Sequence, residues 1–223
     1  MADAFAIAND GSGGKALKGF SAECYEIVPF PDGGGFDIIF SQCTGDDGIY
    51  RDGTLRVTAA DSAFINENSG GISITYIDFT HNVYGISGTV TALIGYGDIL
   101  GNGLNYWYFK LGADNLQLTY PDGDVATLTY AELNYVFKLL ELEIFGNSNG
   151  SNRNGLAYST VTEDVKYGTY ADPCPWPTKG TITITIADID DIVVDFDQDG
   201  TGSCDNIFLV SQKRHDDVTV TLD

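Results

Sequence analysis

Ala131 to Phe145, AELNYVFKLLELEIF, is the stretch whose reading decides the fold. Its residues are good helix formers and include neither Gly nor Pro, so propensity alone predicts a helix. Its periodicity predicts a strand. Ala131, Leu133, Tyr135, Phe137 and Leu139 alternate with Glu132, Asn134 and Lys138; the phase then slips by one, and Leu140, Leu142 and Ile144 alternate with Glu141 and Glu143. A period of two places successive side chains on opposite faces of a strand, and a one-residue slip is what a β-bulge produces within a long one. The segment is therefore read as one long bulged strand, with a helix as the competing reading.

The surroundings agree with the strand. Runs rich in Ile, Thr, Tyr and Val cover Phe36 to Cys43, Thr54 to Ala59, Ile72 to Phe79, Tyr84 to Ile94, Tyr106 to Leu111, Leu116 to Tyr120, Val125 to Tyr130 and Tyr158 to Tyr167. Between them stand Pro31-Asp32-Gly33-Gly34, Asp46-Asp47-Gly48, Arg51-Asp52-Gly53 and Pro121-Asp122-Gly123-Asp124, the residue types that supply positive φ to hairpin turns. Residues 146 to 155, GNSNGSNRNG, read as a polar loop. The expectation is an all-β protein, an antiparallel sandwich or a curved, barrel-like sheet with long hairpins. It forms a single β domain over residues 20–223, preceded by a flexible Ala- and Gly-rich arm or tether over residues 1–19.

Composition narrows the partners. In 223 residues, 11 Lys and Arg face 32 Asp and Glu, a formal charge of −21 carried mainly as dispersed Asp. Nucleic acid and anionic membrane surfaces are poor partners for such a surface, whereas cations suit it. With 43% hydrophobic and 12% aromatic residues the chain is too apolar for disorder, so the acidity coats a folded core and stability should rise with ionic strength. No apolar run is long enough to span a membrane. The first ten residues lack the basic and apolar regions of a signal peptide, and Met1 is read as standing in place of a removed leader.

Four cysteines fall as one pair near each end, Cys24 with Cys43 and Cys174 with Cys204. Two local disulfides are the preferred reading among three pairings. Each would add roughly 3 kcal/mol by loop closure and would persist in an oxidising compartment. Zinc is disfavoured, since no C-x-x-C spacing exists and only His81 and His215 could assist.

Asp195, Asp197, Asp199 and Gly200 match the opening of a D-x-D-x-D-G calcium loop, in which alternating carboxylates face one cation. Position twelve is Asn206 instead of a bidentate Glu, and both flanks are β-patterned, so the helix-flanked version is disfavoured. A hairpin site using Asp195, Asp197, Asp199 and Asp205 stays open, beside an acidic turn pinned by Cys204. Glu141 and Glu143 stand at i and i+2 of one strand face, roughly 7 Å apart, a spacing suited to paired acid and base. That pattern resembles six residues of the laminarinase-like retaining glycosidases, whose final acid falls here on Gly146. Gly11-Ser12-Gly13-Gly14-Lys15 lacks the spacer and the Ser/Thr of a phosphate loop. Both histidines lie in turns without a nucleophile-elbow motif, and Asn149-Gly150-Ser151 is a lone glycosylation sequon. Among Tyr106-Trp107-Tyr108-Phe109 and the tyrosines of residues 72 to 96, some must face outward; cross-strand packing within the sheet is the preferred reading, with a ligand platform or subunit contact as the alternative.

Two further patterns bear on where the chain works. Pro177-Thr178-Lys179-Gly180-Thr181-Ile182-Thr183-Ile184, then Asp199-Gly200-Thr201, Cys204-Asp205-Asn206 and Val218-Thr219-Val220-Thr221-Leu222, resembles the C-terminal pattern of exported or lipid-anchored bacterial β-rich proteins of unassigned activity. Phe40-Ser41-Gln42-Cys43 with Asp52-Gly53-Thr54 is similar to an earlier segment of the same proteins, and this chain departs from them by inserting Gly202-Ser203. The resemblance implies export and an all-β fold, and no reaction. The expectation is a non-enzymatic surface, extracellular or periplasmic protein acting by binding or by self-assembly. Its partners would be copies of itself, joined by strand addition into a filament or other assembly, or other surface components. The alternative is a calcium-dependent carbohydrate-binding or glycoside-hydrolysing β-sandwich.

Overall fold

The computed structural model describes residues 24–60, 69–138, 141–168 and 174–221, so the arm over residues 1–19 lies outside the described residues. Thirteen strands are described: β1 (Tyr25–Pro29), β2 (Gly35–Thr44), β3 (Tyr50–Ala59), β4 (Ser69–His81), β5 (Tyr84–Gly97), β6 (Tyr106–Thr119) and β7 (Val125–Phe137). The remainder are β8 (Glu141–Ser151), β9 (Ala157–Gly168), β10 (Pro177–Ile186), β11 (Ile189–Asp195), β12 (Ile207–Gln212) and β13 (Val218–Thr221). All pair antiparallel in sequence order, β1 through β13, in one open sheet. The expectation of antiparallel β structure with long hairpins holds, and the arrangement adopted is the single sheet, unclosed. No described helix is long and apolar enough to cross a membrane, a finding that does not bear on β-barrels.

The deciding stretch is strand, as its periodicity predicted, but it is two strands. β7 ends at Phe137 and β8 begins at Glu141, with the Lys138 N–H donating to the Glu141 carbonyl at 3.0 Å across the turn. The change of phase marks a reversal of the chain. Gly146 to Ser151 is a correction in the other direction, since the expected loop is the second half of β8. Gly, Asn and Ser are poor strand formers, yet they are held between β7 and β9, with Ser148 and Thr160 hydroxyls 2.7 Å apart. Glycine is required there: a Cβ on Gly146 would stand 2.0 Å from the Glu132 carbonyl oxygen, and one on Gly150 would stand 1.9 Å from that of Thr127. The turn proper is confined to residues 152–156, closed by the Asn152 N–H on the Leu156 carbonyl. Arg51-Asp52-Gly53, read as a turn, lies inside β3.

Bulges cross the sheet in a band. Gln42, Asp78, Asn115 and Asp164 sit at φ of 48 to 49° inside β2, β4, β6 and β9, beside register shifts against neighbouring strands. Next to three of them lie glycines with positive φ: Gly53 meets Asp78, Gly88 meets Asn115, and Gly180 meets Asp164. Each bulge inserts one residue and so resets the alternation. That is why Tyr76 and Phe79, three apart on β4, are both buried in one cluster.

That cluster joins Ile38, Phe40, Leu55, Val57, Ile74, Tyr76, Phe79 and Val90 on one face of β2–β5. The opposite face of these strands is polar, with Arg56 held bidentately by Asp37 at 2.9 Å, and with Thr75 and Thr89 hydroxyls 3.0 Å apart. Further along the sheet the buried side changes. Leu93, Tyr108 and Val136 face the other way and are packed by Ile99 and Leu100 from the connection after β5. Asp98 fixes that connection by accepting the N–H groups of Asn102 and Gly103 at 2.9 and 2.8 Å.

Candidate functional site

Among the described residues, the connection after β5 packs on the Leu93 side, and the other face of the sheet is exposed over β5–β7 and closes toward buried Val165 on β9. The register aligns Tyr96, Trp107, Phe137, Leu142 and Tyr167 in one row across five strands, and Ile94, Phe109, Tyr135, Ile144 and Val165 in the next. Neither row contains a charge, in a chain of −21. Ile94, Tyr96, Trp107 and Phe137 are 56, 41, 60 and 52% exposed, an apolar density that soluble surfaces seldom carry without a use for it. Tyr96 and Trp107 rings lie 5.3 Å apart and Phe109 and Tyr135 rings 6.0 Å apart, all tilted. Burial, and then the neighbouring Tyr135, raise the Tyr167 hydroxyl above the ordinary tyrosine range. We treat this aromatic face as the candidate site.

Sequence reading had part of it. Tyr96, Trp107 and Phe109 do face outward. Tyr108 instead lies buried against Gly95, where a Cβ would fall 2.4 Å from its ring, while Tyr76 is core and Tyr84 packs edge-on against Tyr120. Ile94, Tyr135, Phe137, Leu142 and Tyr167 were missed as site residues. The signal was available only as strand parity, and using it required knowing which strands are neighbours.

The opposite face carries the paired carboxylates. Glu141 and Glu143 share a face of β8, as their spacing predicted, but both are occupied. Lys138 Nζ reaches Glu141 at 2.8 Å and also pairs with Glu143, and Lys166 Nζ lies 3.3 Å from Glu141. Burial raises the Glu141 carboxyl, but the hydrogen bond and charge of Lys138, with Lys166, more than offset it and leave it below its usual range. A general acid needs the opposite shift. An open groove of about 730 Å³ adjoins this cluster, walled by Ile99, Leu100, Phe145 and Val161 with Lys138 and Glu143 on its surface.

The C-terminal acidic loop connects β11 to β12. Asp195 accepts the Asp197 N–H at 2.9 Å, Asp197 that of Gly202 at 2.7 Å, Asp199 that of Thr201 at 3.0 Å, and Asp205 that of Ile207 at 3.0 Å. The Thr201 hydroxyl and N–H hold the Asp199 carboxyl below its ordinary range. Among the described residues, no three His, Cys, Asp or Glu side chains converge as a metal-holding group. Both expected disulfides are formed, Cys24 with Cys43 and Cys174 with Cys204. They pin β1 to β2 and the approach to β10 to the acidic loop, and they are compatible with an extracellular or periplasmic location.

Compared with protein-family models, curated proteins and solved structures, the chain matches none. The class its fold defines is a single-sheet, disulfide-linked antiparallel β protein.

Proposed function

We propose that this is a non-enzymatic exported protein of the cell surface or extracellular space that works by self-assembly through strand addition. The observation that carries the reading is the open sheet: among the described residues, nothing pairs with the outer edge of β1 or of β13. An unpaired strand edge offers a row of backbone donors and acceptors to another chain. In an antiparallel meander of thirteen strands, β1 and β13 run in the same direction. Copies in one orientation would therefore join β13 to β1 as parallel neighbours, a head-to-tail contact that does not close and propagates as a filament. With five and four residues in these strands, each ladder is short and the contact weak, so assembly depends on concentration.

Electron microscopy and sedimentation of the full chain test this. Val218→Lys with Val220→Lys on β13 should abolish long assemblies, and filaments that persist in that variant would reject strand addition. Deleting residues 1–19 asks whether the arm is the donated strand, since unchanged assembly assigns the contact to β1 and β13 alone. Calcium enters as an optional occupant of the loop holding Asp195, Asp197, Asp199 and Asp205. A melting temperature raised by calcium beyond magnesium at equal ionic strength supports it, and no shift removes it.

A further inference from the structure

We infer that two copies of this chain pack their aromatic faces together about a two-fold axis that lies between the two sheets, over β7. The inference is independent of the sheet edges. It starts from a layer count: β structure is stable when an apolar face is buried against a second layer, and over β5–β9 the covered side is the one beneath Ile99 and Leu100. Among the described residues no second layer covers the other side over β5–β7, although Val165 on β9 is buried there. At their exposures, Ile94, Tyr96, Trp107 and Phe137 present on the order of 400 Å² of apolar area, and with their half-buried neighbours the patch reaches about 600 Å². That approaches the roughly 800 Å² per partner of a standard stable interface.

Three features select a second copy as the occupant. The two rows are centred on β7, so a two-fold lying in the contact plane above β7 and parallel to it sets β5 against β9 and β6 against β8 and matches the rows to themselves. Its rings are tilted, by 48° for Tyr96 against Trp107 and 55° for Phe109 against Tyr135. A flat stacking ligand such as a polysaccharide surface needs coplanar rings, whereas tilted rings leave gaps that a facing layer of side chains fills. Both rows are uncharged, so the −21 of each copy lies outside the contact and its repulsion is screened by salt over about 8 Å at physiological ionic strength.

The test is sedimentation equilibrium of the full chain from low to high micromolar concentration, at low and high salt. The edge variant Val218→Lys with Val220→Lys serves as background, so that filament growth is separated from dimerisation. The expected result is a monomer–dimer equilibrium that tightens with salt and is weakened about 100-fold by Trp107→Ser with Phe137→Ser. Should that double variant fold poorly, Trp107 emission in the Trp176→Phe chain gives a second readout, shifting to the blue as dimer forms. A chain that stays monomeric throughout overturns the inference, as does a dimer indifferent to the face substitutions. A Trp107 response to polysaccharide from a persistent monomer would do so as well. Loss of filaments with retention of this dimer, or the reverse, tells the two proposals apart.

Discussion

Gly88→Ala is the sharpest test of the bulge band. Gly88 has φ of +103°, and an added Cβ would stand 2.2 Å from the Asn115 carbonyl oxygen and 2.6 Å from the Leu116 Cα. Holding an L-residue in that conformation costs about 1 to 2 kcal/mol. The collision is with backbone, which cannot rotate away, and forced overpacking adds about 1 to 3 kcal/mol. The expected loss is about 2 to 5 kcal/mol, or roughly 4 to 20 °C in melting temperature for a chain of this size. Gly123→Ala is the matched control, because its φ is +90° but nothing lies within 4 Å of the added Cβ, so only the conformational part applies. Urea denaturation followed by circular dichroism measures both. If Gly88→Ala costs no more than Gly123→Ala, close backbone approach is not what glycine provides at the bulges.

Asp47 governs acid behaviour near the β2–β3 turn. The bidentate bond from buried Arg51, then the Ile49 N–H, hold its carboxyl down to about 2. A lowered carboxyl contributes stability that is complete above its unfolded value and lost as pH falls from about 4 to 2. Asp47→Asn should remove about 1 to 2 kcal/mol at neutral pH, after allowance for screening of a partly exposed pair, and flatten that acid limb; an unchanged limb in pH-dependent unfolding would contradict this. Lys138→Met leaves Glu143, only 6% exposed, without its paired ammonium and should cost about 3 kcal/mol in denaturation. Burial lowers Lys138, but Glu141 and Glu143 outweigh it and raise the ammonium overall, so the wild type keeps this contribution below about pH 10 and loses it as pH rises further, a limb the variant should lack. Reducing Cys24–Cys43 and Cys174–Cys204 should each remove roughly 3 kcal/mol, measurable by comparing single-pair Ser variants, and a loss near zero would show that the sheet alone fixes those segments.

Strand identity was legible wherever alternation survived, and it prevailed over helix propensity in residues 131–145. What alternation could not show is why its phase changes. The slip between Leu139 and Leu140 looks like a bulge and instead falls where the chain reverses from β7 to β8, whereas the true bulges at Gln42, Asp78, Asn115 and Asp164 carry no marker strong enough to separate them from ordinary polar positions. The aromatic face was half legible for the same reason. Trp107 and Phe109 announce themselves as neighbours in one run, but Phe137 and Tyr167 join them only through pairing. The acidic pair Glu141 and Glu143 was placed on one face correctly, while Lys138 and Lys166, which engage them, arrive from a turn and from the adjacent strand.

By itself the sequence determined the all-β class and an acidic composition and favoured the two local disulfides, because composition, period and cysteine spacing are local properties of the chain. Only the tertiary structure decided that the sheet stays open and which face of β5–β9 is covered. Edge exposure and burial depend on which strands become neighbours and where a connection folds back. Asp98 holding the connection that places Ile99 and Leu100 over Leu93 settles the second question, and it leaves Trp107 and Phe137 exposed on the other side.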